Sequence, residues 1–237
     1  MMSGKRWGYV VQFFCLLVFL GMSPFLIKMD GRKTMSVSSG SVRSQNVSDE
    51  VKPVVALTFD DGPNASSTPI LLDGLRERKV RATFFLIGEN VEKDENEKIV
   101  KRMYEEGHLI GNHTYTHCNL SKLETGEAKK ELEQTDTVIE KITGKQPVFV
   151  RAPYGELPVD SEQDLNRIYI GWTVDPLDWM TEDAGAVVKT VVEEINPGDV
   201  ILLHDCYPSS VQAAIRIVDL LQGKGYEFVT VDHLIMD

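Results

Sequence analysis

From Pro53 onward the chain alternates short runs of β-branched and aromatic residues with longer stretches in which apolar positions recur every three or four residues. The short runs are VVALTF (54–59), ATFFLI (82–87), HLIGNH (108–113), VFVR (148–151), YIGWTV (169–174), VILLH (200–204) and EFVTV (227–231), and each predicts a strand. Between them the amphipathic stretches predict helices at about 67–79, 91–106, 123–143, 184–195 and 209–222. In the last, Val211, Ala214, Ile215, Val218 and Leu221 fall on one face, with Ser209 or Ser210 as N-cap and Gly223 as stop. Strands alternating with helices predict an α/β fold built on a mainly parallel sheet, and seven strands is enough for a barrel.

Before Pro53 the pattern is different. Trp7 to Ile27 is apolar with no ionisable side chain, and Lys5 and Arg6 precede it. A helix of that length crosses a hydrocarbon core of about 30 Å, and the two cations favour an N-terminus held in the cytoplasm. Residues 1–28 therefore read as an N-terminal transmembrane anchor or signal segment, which predicts a cell-membrane protein, single-pass with its folded domain extracytoplasmic. A cleaved signal peptide, giving a secreted protein, is the competing reading, but no small-x-small cleavage site follows convincingly. Residues 29–52 are rich in Ser and have no hydrophobic period, as in a flexible linker, leaving 53–237 as the folded domain.

Composition changes the picture only through charge. The chain has 237 residues and a formal net charge of −11, but Lys5, Arg6, Lys28, Arg32, Lys33 and Arg43 precede residue 50 against only Asp30 and Asp49. Residues 50–237 thus keep 19 basic and 34 acidic side chains, a net of −15. Such a surface repels nucleic acid and anionic lipid, so no nucleic-acid partner is expected. Of the three cysteines, Cys15 lies in the apolar segment, while Cys118 and Cys206 each closely follow a histidine. A disulfide or a pair of free thiols near one site is an open reading, beside two small buried side chains.

The chemistry-bearing residues cluster at the C-terminal ends of the predicted strands, where α/β folds place their sites. Asp60 and Asp61 end the first strand in TFDDG. Alone such a pair is commonly a turn or helix cap. His113 and His117, in HTYTH, are four residues apart, so in a helix or tight turn both imidazoles share a face. With Asp61 they make two nitrogens and one oxygen, three ligands with open positions, as in catalytic zinc sites. RAPYG (151–155), DPLDW (175–179) and LLHD (202–205) end later strands, contributing Arg151, Trp179 and His204 to the same rim.

In order and spacing TFDDG, HTYTH, RAPYG, DPLDW and LLH resemble the five motifs of the polysaccharide deacetylases, carbohydrate esterase family 4, over roughly residues 53–235. The resemblance implies a distorted (β/α) barrel of about seven parallel strands and metal-dependent removal of acetyl groups from N-acetylglucosamine polymers. It implies that Asp61, His113 and His117 hold a divalent metal, that Asp60 is the general base and that His204 is the general acid. Arg151 would orient Asp60 and Asp178 would raise the pKa of His204. The Tyr154 backbone N–H would join the oxyanion hole, and Trp179 and Leu202 would wall a pocket for the acetyl methyl group. Zinc is the expected ion, with cobalt or manganese as alternatives; thiols of Cys118 and Cys206 facing the metal would favour zinc.

The expected partner is an acetylated glycan polymer, peptidoglycan before chitin-like chains, with chitooligosaccharide, N-acetylmuramic acid, xylan ester or exopolysaccharide as further candidates. Two other classes compete. A non-catalytic glycan-binding module needs neither Asp60 nor His204, and both are present. A phosphoester hydrolase needs cations around its metal, whereas the motif segments supply only Arg151.

Overall fold

The computed structural model describes residues 52–236 apart from 94, 160 and 162–165. The apolar segment and the linker up to residue 51 lie outside the described residues; among the described residues no helix is long and apolar enough to cross a membrane.

All seven predicted strands form. They are β1 (Val54–Gly62), β2 (Thr83–Leu86), β3 (Leu109–Asn112), β4 (Phe149–Val150), β5 (Ile168–Tyr169), β6 (Val200–His204) and β7 (Glu227–Val229). Every pairing is parallel, in the order β5-β4-β3-β2-β1-β6, with β7 also paired to β1. Val174, just past β5, forms an isolated parallel bridge to Ile201, and the Leu202 N–H donates to its carbonyl at 3.0 Å. The run after β5 thus reaches the far edge strand, and the sheet curls into the expected distorted barrel.

The helices are α1 (Thr68–Glu77), α2 (Gly88–Val91), α3 (Asn96–Glu105), α4 (Thr125–Thr143), α5 (Ala184–Glu194), α6 (Pro208–Gly223) and α7 (Val231–Met236). Their buried positions follow the 3.6-residue period, as with Leu71, Leu72 and Leu75 of α1 or Ile99, Val100 and Met103 of α3. Helix α4 starts at a reciprocal capping box of Glu124 and Glu127 and ends at Gly144, whose φ of 71° suits a residue without Cβ.

Three elements differ from the sequence reading in their boundaries. The stretch expected as one helix over 91–106 is broken between α2 and α3, where Glu95 adopts φ 67°. Helix α6 begins at Pro208, whose missing N–H costs nothing in a first turn, and Ser210 is buried inside it rather than capping it. It also runs through Gly223. The fifth strand is only Ile168–Tyr169, because residues 170–174 leave β4 for β6.

The alternation of side chains along the strands sorts chemistry from core. Val55, Leu57 and Phe59 of β1, Phe84 and Leu86 of β2, and Ile201 and Leu203 of β6 pack into the large cluster beneath the helices. The residues between them face inward. Ala56 and Phe85 join Phe149 and Val231 in a smaller inner cluster, and the same parity brings Thr58, Asp60 and His204 onto the inner face. Asp60 and His204 are register partners across β1 and β6. Every strand arrives with its C-terminus at one rim, so the parallel topology gathers the five motifs.

Candidate metal and catalytic site

Asp61 follows the last inward residue of β1 with a φ of 69°, which swings its carboxylate over the rim. His113 and His117 approach it from a loop after β3 that is not helical. Their Nε2 atoms lie 3.5 and 3.2 Å from Asp61 Oδ1. Tetrahedral zinc with bonds of about 2.0–2.1 Å places neighbouring ligand atoms about 3.3 Å apart. That Oδ1 is buried and has no hydrogen-bond partner, the condition of an oxygen reserved for a cation.

Both histidines present Nε2 because Nδ1 is occupied. His113 Nδ1 bonds the Arg151 carbonyl at 2.7 Å, and His117 Nδ1 meets the Tyr154 hydroxyl at 3.3 Å. Such partners fix the ring and tautomer of a ligating histidine. Burial opposes the charge on Asp61, but the contact from His113 and the charges of His113, His117 and His204 outweigh it and lower its pKa. Burial lowers the pKa of His117, with the His113 and His204 charges acting in the same sense against the acids beside it. A donor set of two imidazole nitrogens and a carboxylate fits a divalent metal, and among the described residues Asp61, His113 and His117 form a group that could hold one.

On one side stands Asp60, 3% exposed. The Arg151 Nη1 donates to its Oδ1 at 2.9 Å and to Thr58 Oγ1 at 2.7 Å, while Nη2 and Nε donate to the carbonyls of Gly171 and Ile170. The guanidinium lies 4.3 Å from the Phe85 ring centroid, a cation–π contact that helps fix its plane. With Oδ1 engaged, Oδ2 faces the metal side, 3.7 Å from His113 Nε2.

On the other side stands His204. Asp178, buried in a short 3-10 turn, accepts from its backbone N–H and pairs with its Nδ1, both at 2.8 Å. Its Nε2 is then aimed at Asp61 Oδ2, 4.0 Å away. Burial opposes an imidazolium here, but the Asp178 bond and the charges of Asp178, Asp60 and Asp61 prevail and raise the pKa to about 9. This environment favours the imidazolium.

Tyr154 sits in a 3-10 turn with φ 64° and is 65% exposed. Trp179 is half exposed at the rim, and Leu202 is buried on β6. Cys118 and Cys206 are free. Burial raises both thiol pKa values, Cys206 to about 12 with help from Asp61 and Asp205, and neither sulfur belongs to the group formed by Asp61, His113 and His117. The expected cysteine preference for zinc therefore falls away, and Cys15 lies outside the described residues.

Sequence reading missed Asp205, although it stands in LLHD. It is fully buried and accepts from Thr68 Oγ1 at 2.6 Å, while Ser67 Oγ donates to its carbonyl at 2.5 Å. Burial lifts its pKa to about 7 against the lowering bond from Thr68. It packs against Gly62, where a Cβ would lie 2.5 Å from both carboxylate oxygens. Asp205 thus ties the end of β6 to the start of α1 and packs against the turn that follows Asp61.

Comparison with known proteins agrees with this geometry. Residues 48–170 match the family model described as polysaccharide deacetylase. The chain is 42% identical over 190 residues to a peptidoglycan-N-acetylglucosamine deacetylase of Bacillus cereus, covering 77% of this chain and 68% of the relative. It is 38% identical over 194 residues to the peptidoglycan-N-acetylmuramic acid deacetylase PdaC of Bacillus subtilis, covering 82% of this chain but 41% of that longer protein. The solved PdaC structure superposes with a TM-score of 0.74, over 78% of this chain and 90% of that one. A family 4 acetyl xylan esterase from Clostridium thermocellum, solved with a cobalt ion, superposes at 0.72 with 34% identity, over 76% and 89% of the two chains. With its five motifs on one barrel rim, the chain belongs to the polysaccharide deacetylase family.

Proposed function

We propose that the chain is a metal-dependent hydrolase that removes N-acetyl groups from an N-acetylglucosamine-containing polysaccharide, peptidoglycan first among them. The observation that carries this reading is the three-ligand group lying between two ordered pairs, Arg151–Asp60 and Asp178–His204. Bound by Asp61, His113 and His117, a divalent ion supplies Lewis acidity, lowering the pKa of a water and polarising a carbonyl. Zinc is the proposed ion, and the cobalt in the acetyl xylan esterase structure supports a divalent metal without choosing between the two.

The protein's own residues supply the proton transfers. Asp60, held by Arg151 through Oδ1, takes the proton of the attacking water on Oδ2. His204, charged and held at Nδ1 by Asp178, gives the proton of Nε2 to the departing amine. Without that proton the amine is a poor leaving group. The Tyr154 N–H donates to the developing oxyanion, and its hydroxyl keeps the His117 ring in place. Trp179 and Leu202 border the acetyl methyl group. A glycan-binding module has no use for two such ordered proton-transfer pairs.

The apolar run Trp7–Ile27, with Lys5 and Arg6 before it, supports anchoring in the cell membrane, with linker 29–52 holding domain 53–237 outside the cytoplasm within reach of the wall. Acetate release by the full chain tests the reading. Peptidoglycan, N-acetylglucosamine oligomers and acetylated xylan are offered with chelator and with zinc or cobalt restored. Release from the amide substrates that needs metal and is lost in Asp60→Asn is the expected result. Release from xylan alone makes the chain an esterase, and metal binding without any release favours the binding module.

A further inference from the structure

The two histidines that converge on Asp61 belong to a loop whose conformation is unfavourable in isolation. Thr114 and His117 adopt φ of 63° and 59°, the left-handed region that side chains bearing a Cβ disfavour. Such residues persist only where the surroundings over-determine them. Here the surroundings are a set of bonds to the backbone between the ligands. The Thr114 N–H donates to Asn112 Oδ1 at 2.8 Å, and the carbonyls of Thr114 and Tyr115 each accept at 3.0 Å from the N–H groups of Gly88 and Glu89. The N–H groups of Tyr115 and Thr116 both donate to one oxygen, Oε2 of Glu131, at 3.0 and 2.8 Å. The Thr116 hydroxyl adds a contact of 3.1 Å to the same carboxylate.

Glu131 is the charged member of this set, and it engages two of the three N–H groups between His113 and His117. Two successive amides converging on one carboxylate oxygen form an anion nest, and bonds to an ionised acceptor are stronger than neutral ones. The carboxylate is itself well placed. Helix α4 is locked to the end of β3, because Asn112 Nδ2 donates to the Leu132 carbonyl at 2.8 Å and to Asp136 Oδ1 at 2.6 Å. Ala128, Leu132 and Ile139 bury the same face of the helix. Glu131 therefore reaches the loop from a rigid element whose register against the strand is already set.

We propose that Glu131 is a positioning residue for the metal site. By gripping the Tyr115 and Thr116 amides it holds the His113–His117 loop in its left-handed turns and presets the two Nε2 atoms around Asp61 before a cation arrives. This rests on the reading that Asp61, His113 and His117 hold a metal. Removal of an outer partner that orients ligands costs about 10–100-fold in metal affinity, and Glu131 acts on both histidines through their shared backbone.

The test uses the full chain and its Glu131→Ala, Glu131→Gln and Glu133→Ala variants, the last removing one exposed carboxylate from the same helix. Zinc affinity is measured by competition with a chelating dye, the visible spectrum of the cobalt form reports ligand geometry, and melting in excess chelator reports stability without metal. Expected is a loss of about 10–100-fold in zinc affinity and an altered cobalt spectrum for Glu131→Ala. Glu131→Gln, which keeps an acceptor oxygen but not the charge, falls between, and Glu133→Ala matches the unsubstituted chain. A lower melting temperature for Glu131→Ala with unchanged zinc affinity and cobalt spectrum overturns the proposal. Should that variant fail to fold, Glu131→Gln decides: a several-fold loss of affinity supports the role and an unchanged affinity overturns it. An unsubstituted chain that binds no zinc or cobalt overturns the metal reading and this inference together, whereas tight binding equal in every variant removes this inference alone.

Discussion

Replacing Arg151 with methionine separates the ionic role of this side chain from its bulk. Met keeps much of the packing against Phe85 but removes every donor. Of the four acceptors that lose a partner, the carbonyls belong to Gly171, an exposed residue, and Ile170, a half-buried one, and both bonds are only partly buried, so water restores much of their bonding. Thr58 Oγ1 keeps its own bond to the Ile201 carbonyl at 2.7 Å. The cost therefore falls on Asp60, 3% exposed, whose carboxylate is left without its counter-charge. Breaking a buried pair from one side costs about 3–5 kcal/mol, a large share of a typical domain stability of about 5–15 kcal/mol. Urea unfolding followed by tryptophan fluorescence measures it, with Trp172 beside the guanidinium as a reporter. The melting temperature is expected to fall by roughly 10 °C. Combining Arg151→Met with Asp60→Asn removes the orphaned charge, so the double variant recovers most of the loss while remaining inactive. Losses that simply add, or a single variant within about 1 kcal/mol of the parent, refute the reasoning, since contacting charges must couple.

Three further outcomes follow from the same geometry. Asp178→Asn keeps an acceptor for only one of the two His204 donors and removes the charge that raises the imidazole pKa; deacetylation is expected to fall about 10²–10⁴-fold at saturating zinc, with the NMR titration of His204 moving to lower pH than in the unsubstituted chain. His108 is buried, its Nδ1 accepts from the Ala82 N–H, and burial, against the raising charge of Glu106, lowers its pKa to about 4. The unfolded chain then takes up this proton first, so stability falls as pH drops from about 6.5 towards 4, by up to about 3 kcal/mol; urea unfolding across that range shows this component lost in His108→Gln. Gly62→Ala pushes a methyl group to 2.5 Å from the Asp205 carboxylate, which Thr68 and burial hold in place. Overpacking of that kind costs about 1–3 kcal/mol, and thermal melting together with zinc affinity shows whether the strain passes to Asp61.

The fold was legible wherever one force dominated. Seven apolar runs became seven parallel strands, because strands covered on both faces must be continuously hydrophobic. The amphipathic stretches became helices for the corresponding reason. Boundaries were less legible, since the single helix expected over 91–106 breaks at Glu95 and the fifth strand stops at Tyr169, where the chain crosses to bridge β6. Local propensity does not register such changes of partner.

For the site, the residues and their spacing were determined by the sequence alone: Asp60 with Asp61, His113 four before His117, then Arg151, Asp178 and His204 in order. Period-2 alternation even dictates which of them face inward. The histidine geometry was another matter, because their shared face comes from a loop with two left-handed residues rather than from a helical turn. The family resemblance already implied the pairs Arg151–Asp60 and Asp178–His204, whereas only the tertiary structure added Thr58 to the reach of Arg151, set Asp205 against Gly62, and brought Glu131 to the loop between the candidate metal ligands. Hydrophobic periodicity is a local property that each segment satisfies by itself. A hydrogen bond between distant residues depends on which strands lie side by side, and that is settled when the sheet closes around its core.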